Sequence, residues 1–339
     1  MQLSSLKMVR LLGDKSVSSV HLAEYHGKAV AVKKLMGGAR VGSSLPLSHP
    51  ELAQLRNEIY VNAAVSHRNC VRLYGVCPEP AALITEYCEQ GSIADVLKKA
   101  KAQPDVAKQL SWPRRLSMAI DAAKGLHALH ARPAAHPAPK PHLKQPAGDP
   151  GLARQGGRLQ PEPCPGRRAG QHHRGPGPLL AVCPSTHRWM YPRHPHACTP
   201  ATHAPEVIGG EAPTKEADIY SYGIVMWELL TWDIPWGRKP WQVVPLVVNG
   251  GRPEVPPHHR LPGWDTVPPA VLEGYTALMR RVWAQSPFDR PTLGEVVTEL
   301  GQVLEQALCE DGRQGSAAPY DPYVSATFGA RVRPREAQA

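Results

Sequence analysis

Ala29-Val30-Ala31-Val32-Lys33-Lys34 is a short run of small and β-branched apolar residues that closes on two lysines. Side chains alternate across a strand, so Ala31 and Lys33 share one face and Lys34 takes the other. Working outward, residues 17–22 before this run, and 71–76 and 81–87 after it, are similar runs punctuated by Gly or Pro, which is how strands read. A different period lies between the second and third. Leu52, Leu55, Ile59 and Val65 recur at helical spacing over residues 51–65, and Pro50 suits a first turn. The first hundred residues therefore predict strands, one helix, then strands again.

From Gly13 to Lys33 the chain reads strand, turn, strand, loop, strand, and this resembles the small lobe of a protein kinase, whose third strand ends in a lysine. The resemblance implies that Lys33 binds the α and β phosphates of ATP and that Glu58, on the helix, pairs with Lys33. Leu83-Ile84-Thr85-Glu86-Tyr87-Cys88-Glu89-Gln90-Gly91-Ser92 is similar to the family's fifth strand and hinge. By that likeness the backbone at Glu86 and Cys88 meets the adenine edge, and Thr85 is the gatekeeper. Leu12, Val20 and Ala31 clamp the base, and Asp95 lies near the ribose. An ordinary core role suits Leu12 and Val20 equally well. Two positions depart from the family. Residues 13–20, Gly-Asp-Lys-Ser-Val-Ser-Ser-Val, keep only Gly13 of the pattern G-x-G-x-x-G-x-V, so Lys15 and Ser18 reshape the close backbone approach to phosphate. Asn62, one turn after Glu58, stands where the family places an apolar residue of its internal spine, and a buried amide needs partners.

Ser111-Trp112-Pro113 opens a second helix, with Leu116, Ile120, Ala123, Leu126 and Leu129 three and four residues apart. Ala204-Pro205-Glu206 resembles the family's A-P-E motif, and the run from Asp218 to Leu229 resembles its long buried sixth helix. Trp283 with Ser286-Pro287-Phe288-Asp289-Arg290-Pro291 is similar to its closing W-x-x-x-P-x-x-R-P pattern. The likeness implies a buried ion pair between Glu206 and Arg290, costly to break from either side. These matches span about 6–131 and 204–306, and wording such as Trp227-Glu228-Leu229-Leu230 is closest to the tyrosine-kinase-like group. The implied fold is α+β and bilobal, a protein kinase fold with a small β lobe carrying one helix over 1–88. A larger, mostly α-helical lobe covers 89–131 and 204–306, its centre disrupted. Residues 307–339 are polar and read as a disordered tail.

The disruption is visible in composition. The chain has 339 residues, enough for two to three units at about 150 residues each. Its 37 prolines are more than twice an average usage of about 5%. Arg132 to His203 holds eight Arg and two Lys against only Asp149 and Glu162, so this segment carries +8 of the net +10. It also holds 15 of the prolines and 8 of the 16 histidines, with no Ile or Phe, and nothing there has a helix or strand period. No run of 18 apolar residues exists and the opening residues lack a secretory pattern, so neither a membrane span nor a secretory signal is expected. Seven cysteines, an odd number with no CxxC pair, suit reduced thiols in an intracellular, cytoplasmic protein.

Within that segment the family carries H-R-D-x-x-x-x-N and then D-F-G, which supply a base aspartate and magnesium ligands. Neither motif is present. Pro141-His142-Leu143-Lys144 is the nearest trace, and Asp149 has no motif around it. Residues 145–162 admit a back-translation that, shifted by one base, reads N-L-L-V-T-P-G-W-H-V-K-V-A-D-F-N-L-S. Its Asn and Asp begin in the codons of Gln145 and Arg158, the separation usual in the family. The segment thus reads as kinase coding sequence out of frame, with intron-like sequence from about Gly175; a genuine low-complexity insert is the alternative. A zinc site at His194, His196, Cys198 and another cysteine has irregular spacing. A nucleic-acid patch lacks aromatics beyond Trp189 and Tyr191, so neither metal nor nucleic acid is expected there.

The resemblance implies transfer of the ATP γ-phosphate, with magnesium, to Ser or Thr of protein substrates or signalling partners. Lys33 and Glu58 are the catalytic candidates that remain. The chain as written is expected to be impaired, because the base aspartate and metal ligands are absent; a nucleotide-binding or scaffold pseudokinase is the alternative. Asp218 is expected to lose the catalytic loop it anchors in the family and to stand as a buried carboxylate without partners.

Overall fold

The structure is a computed structural model that describes residues 1–15, 18–35, 50–131, 202–237 and 240–314. Strands β1 (Lys7–Lys15), β2 (Ser18–Tyr25), β3 (Lys28–Leu35), β4 (Leu73–Cys77) and β5 (Ala82–Glu86) form one antiparallel sheet in the order β1-β2-β3-β5-β4. The alternation read from sequence sets the faces of β3. Val30 and Val32 are fully buried with Leu6, Ala23, Cys77, Ala82 and Ile84 on one side. On the other side Leu35 and Leu83 meet Leu55 of α1 (Pro50–Ala63). With apolar residues on both faces and hydrogen-bonded neighbours on both edges, β3, like β5, is held from every side.

The remaining described residues are mostly helical: α2 (Ile93–Ala102), α3 (Pro104–Gln109), α4 (Trp112–His130), α5 (Pro205–Ile208), α6 (Lys215–Thr231), α7 (Pro240–Val248), α8 (Pro269–Val282) and α9 (Leu293–Gln314). Helix α6 is the axis of this lobe. It buries residues on every side, from Ile219 and Tyr220 to Leu229 and Leu230, as expected of a helix apolar all round. Tyr222 Oη donates to the Ala119 carbonyl of α4 at 2.8 Å, and Tyr275 Oη of α8 donates to the Met226 carbonyl at 3.0 Å. At Gly223 a Cβ would stand 2.9 Å from Trp283 Cβ, so only glycine lets α6 and the end of α8 approach this closely. The predicted periodicity of α4 holds, with Leu116, Ile120, Ala123, Leu126 and Leu129 all buried.

One boundary is corrected. Residues 307–314, expected to open a disordered tail, are instead the last turns of α9; the rest of that expected tail lies outside the described residues. Val296, Leu300, Val303 and Ala307 fall four, three and four residues apart and are all buried, so the apolar stripe carries the helix past the polar residues between them. The damaged catalytic-loop trace, Asp149, the out-of-frame segment and the residues of the zinc and nucleic-acid readings lie outside the described residues, apart from Thr202 and His203.

Candidate functional site

Lys33 leaves the sheet on the face of β3 that looks toward α1, opposite Val20 on β2 and Leu83 on β5. Its Nζ lies 2.5 Å from Glu58 Oε2, with the lysine side chain 29% exposed and the glutamate 7%. Both ends of this ion pair are fixed by packing: Lys33 by the central strand, Glu58 by Leu55 one turn earlier in α1, which is 2% exposed against Leu35 and Leu83. A cation held this way and partly open to solvent can accept a second anion.

By ladder register Val20, Ala31 and Thr85 share that face with Lys33. Ala31 sits between Leu22 and Thr85 in the ladder, and Gly13 pairs with Val20 beside an irregularity of β1 that leaves Leu12 without a direct partner. Leu12, Val20, Ala31, Thr85 and Cys88 are all half-buried. Glu86 pairs with Val30, so its side chain lies on the opposite face, where its carboxylate accepts from the Arg72 N–H at 3.2 Å. The Glu86 N–H in turn donates to the Arg72 carbonyl at 2.8 Å, and the Cys88 carbonyl accepts from Gly91. Asp95 is engaged locally. Its Oδ2 accepts from Ser92 N at 3.0 Å and Ser92 Oγ at 2.7 Å, completing a capping box at the start of α2. A Cβ on Gly13 would meet nothing within 4 Å, so open space lies over the start of the β1–β2 turn.

Asn62 is 2% exposed, and one of its two polar atoms is satisfied. Nδ2 donates to the Glu58 carbonyl at 2.7 Å, while Oδ1 has no hydrogen-bond partner. The amide anticipated from sequence is therefore buried on the very helix that carries Glu58.

Below the sheet, Arg290 and Glu206 form the expected buried pair as a two-pronged contact, Nη1 to Oε1 at 2.7 Å and Nη2 to Oε2 at 2.9 Å. Arg290 also donates to the carbonyls of Ala284, Glu216 and Gln285. Burial alone would raise the Glu206 pKa, but hydrogen bonds and charge from Arg290 outweigh it and hold the carboxyl below its ordinary value.

Asp218 contradicts the expectation of an unpartnered carboxylate. Its Oδ2 lies 2.9 Å from His130 Nε2, and Lys215 Nζ bonds the His130 carbonyl at 2.6 Å. His130 is the last residue of α4, and nothing in its local pattern marked it; only the fold brings it to α6. Among the described residues no group of three His, Cys, Asp or Glu side chains could hold a metal ion, and no helix is long and apolar enough to cross a membrane.

Compared with known proteins, residues 6–138 and 190–300 match the family model described as protein tyrosine and serine/threonine kinase. The chain is 29% identical over 320 residues to serine/threonine-protein kinase CTR1 of Arabidopsis thaliana, covering 89% of this chain and 32% of that protein. It is 28% identical over 315 residues to STY17 of the same plant, covering 90% and 45%. With STY46, also from Arabidopsis thaliana, identity is 27% over 323 residues, covering 92% and 46%. The chain thus spans less than half the length of each of these relatives.

Proposed function

The chain belongs to the protein tyrosine and serine/threonine kinase family, and on that premise we propose that it binds ATP on the face of β3 shared by Ala31 and Lys33. The relatives named above are serine/threonine kinases of the tyrosine-kinase-like group, and the bilobal fold is that of the family. The observation that carries the site is the Lys33–Glu58 pair, a packed and partly exposed cation beside half-buried Leu12, Val20 and Ala31. These residues fit a nucleotide. Lys33 neutralises the α and β phosphates and Glu58 keeps its side chain extended toward them. Leu12, Val20 and Ala31 cover the base, with Thr85 at its back. The adenine edge meets the Glu86 carbonyl and the Cys88 backbone, the Glu86 N–H being engaged by Arg72. Asp95, at the mouth of the hinge, faces the ribose through the carboxylate that caps α2. ATP supplies the phosphoryl group.

Transfer to Ser or Thr of a protein substrate is the activity proposed for the lineage. The sequence as written holds neither the base aspartate nor the metal-binding Asn and Asp, so this chain is proposed to bind nucleotide and to transfer phosphate poorly or not at all. A scaffold role is the second proposal, favoured by the same combination of a retained cation pair and absent carboxylates.

A thermal shift with ATP, run beside a phosphate-transfer assay on a generic protein substrate, tests both. A shift that Lys33→Met abolishes, with no transfer, supports the nucleotide-binding pseudokinase. No shift in the unaltered chain removes the nucleotide site. Sequencing the messenger RNA across the codons for Leu126 to Val207 separates the chain as written from one with H-R-D and D-F-G or D-F-N restored. The restored sequence predicts a working kinase.

A further inference from the structure

On α8, Glu273, Ala277 and Arg280 recur four and three residues apart and line the solvent side, opposite the buried Val271, Tyr275, Leu278 and Val282. Pro256, Pro257 and His258 run alongside, and a cleft of about 360 Å³ lies between loop and helix. Its wall holds an unfulfilled polar group: Thr276 is 6% exposed, and its Oγ1 has no hydrogen-bond partner. Glu273 and Arg280 also line the cleft, and neither belongs to any of the ion pairs among the described residues. Seven residues along a helix separate these two charges by about 10 Å.

A polyproline-II chain has three residues per turn and advances about 3.1 Å per residue, so side chains three residues apart share one face and stand about 9 Å apart. The cleft therefore matches a polyproline-II segment with a base and an acid at that spacing. The residues outside the described portion contain one such pair, in Arg333-Pro334-Arg335-Glu336, where Pro334 pre-sets φ for the extended form. We propose that residues 333–336 of the chain's own C-terminal segment dock in the α8 cleft, Arg333 against Glu273 and Glu336 against Arg280.

Reach agrees with this assignment. Val303 of α9 lies against α8, its Cγ2 3.3 Å from where a Cβ on Gly274 would stand. From there α9 runs about 17 Å to Gln314. A flexible chain of the length separating Gln314 from Arg333 has a root-mean-square span of about 24 Å, enough to return. Tethering at this length gives an effective concentration on the order of 1 mM, so a contact of modest affinity is populated within the molecule. The docking concerns a surface apart from the nucleotide face and does not rest on phosphoryl transfer.

The test is amide hydrogen exchange over residues 254–262 in the full chain. With a segment affinity of about 0.1 mM, exchange there is expected to be about tenfold slower than in the double variant Arg333→Glu, Glu336→Arg. Adding Glu273→Arg and Arg280→Glu to that variant is expected to restore the slowing. Equal exchange with the original and charge-swapped segments overturns the proposal, as does failure of the fourfold swap to restore protection. Protection that survives the swap and grows with protein concentration also overturns it, and assigns the cleft to a second copy of the chain. None of these readouts is catalytic, so loss of the kinase assignment and loss of the docking are told apart.

Discussion

Arg290 shows how much one side chain can hold. Its side chain is fully withdrawn from solvent, and it joins Glu206 of α5 to the carbonyls that end α8 and start α6. Removing it strands Glu206, so Arg290→Ala is expected to lower stability by about 3–5 kcal/mol in chemical denaturation. The pair also sets a pH dependence. Glu206 has a folded pKa below its unfolded value, so its contribution is complete above the ordinary glutamate value of about 4.3 and is lost as pH falls through the lowered one. Denaturation midpoints of the unaltered protein and of Glu206→Gln are expected to converge on the acid side of that value. Asn62 acts in the opposite sense. Its unpartnered Oδ1 is a buried cost, and Asn62→Leu, which replaces the amide by a group of nearly the same shape, is expected to raise stability by about 1–2 kcal/mol in thermal unfolding. Lys33, Glu58, Glu206, Arg290 and Asn62 were all legible in the sequence, because each sits at fixed spacing from a punctuating motif. His130 was not, because its role depends on a residue 88 positions away.

At the scale of elements, periodicity announced β3, α1, α4 and α6, whose apolar residues face well-defined neighbours. Helices α2 and α3 are less legible because they are short: the stripe of α2 is only Ile93, Leu97 and Ala100, and α3 buries no residue. What starts α2 is local chemistry, the reciprocal Ser92–Asp95 box, and Ser92→Ala is expected to cost about 1 kcal/mol of stability. The same change probes the nucleotide face, because it takes the Ser92 Oγ donor from the Asp95 carboxylate that the ribose is proposed to meet and leaves only the backbone N–H of residue 92. Helix α9 extends beyond the end its sequence suggests, since Glu305, Gln306 and Glu310 mask the stripe through Ala307. A chain ending at Gln306 is therefore expected to be less stable than one ending at Gln314 by about 1–2 kcal/mol, from burial of Ala307 and part of Leu308. Comparing their denaturation midpoints decides whether the added turns hold the lobe or merely follow it.

At the scale of the molecule, the chain retains the Lys33–Glu58 pair proposed to meet a nucleotide and, as written, has neither H-R-D nor D-F-G. The ATP-induced thermal shift is accordingly expected to persist when magnesium is chelated, whereas a restored catalytic sequence predicts that chelation weakens it. The α4–α6 junction has a broader consequence. His130 meets Asp218, and the Thr202 carbonyl accepts from Ser221 Oγ at 2.8 Å, so both flanks of residues 132–201 are moored to α6 three residues apart, on adjoining turns. When the two ends of a loop are pinned side by side, each doubling of its length costs only about 0.6 kcal/mol of closure entropy. By closure entropy alone, a gene can lengthen the stretch between two such moorings at little cost to the scaffold that holds them. On the reading proposed above, a change confined to the stretch between these moorings leaves the contacts at His130–Asp218 and Thr202–Ser221 in place.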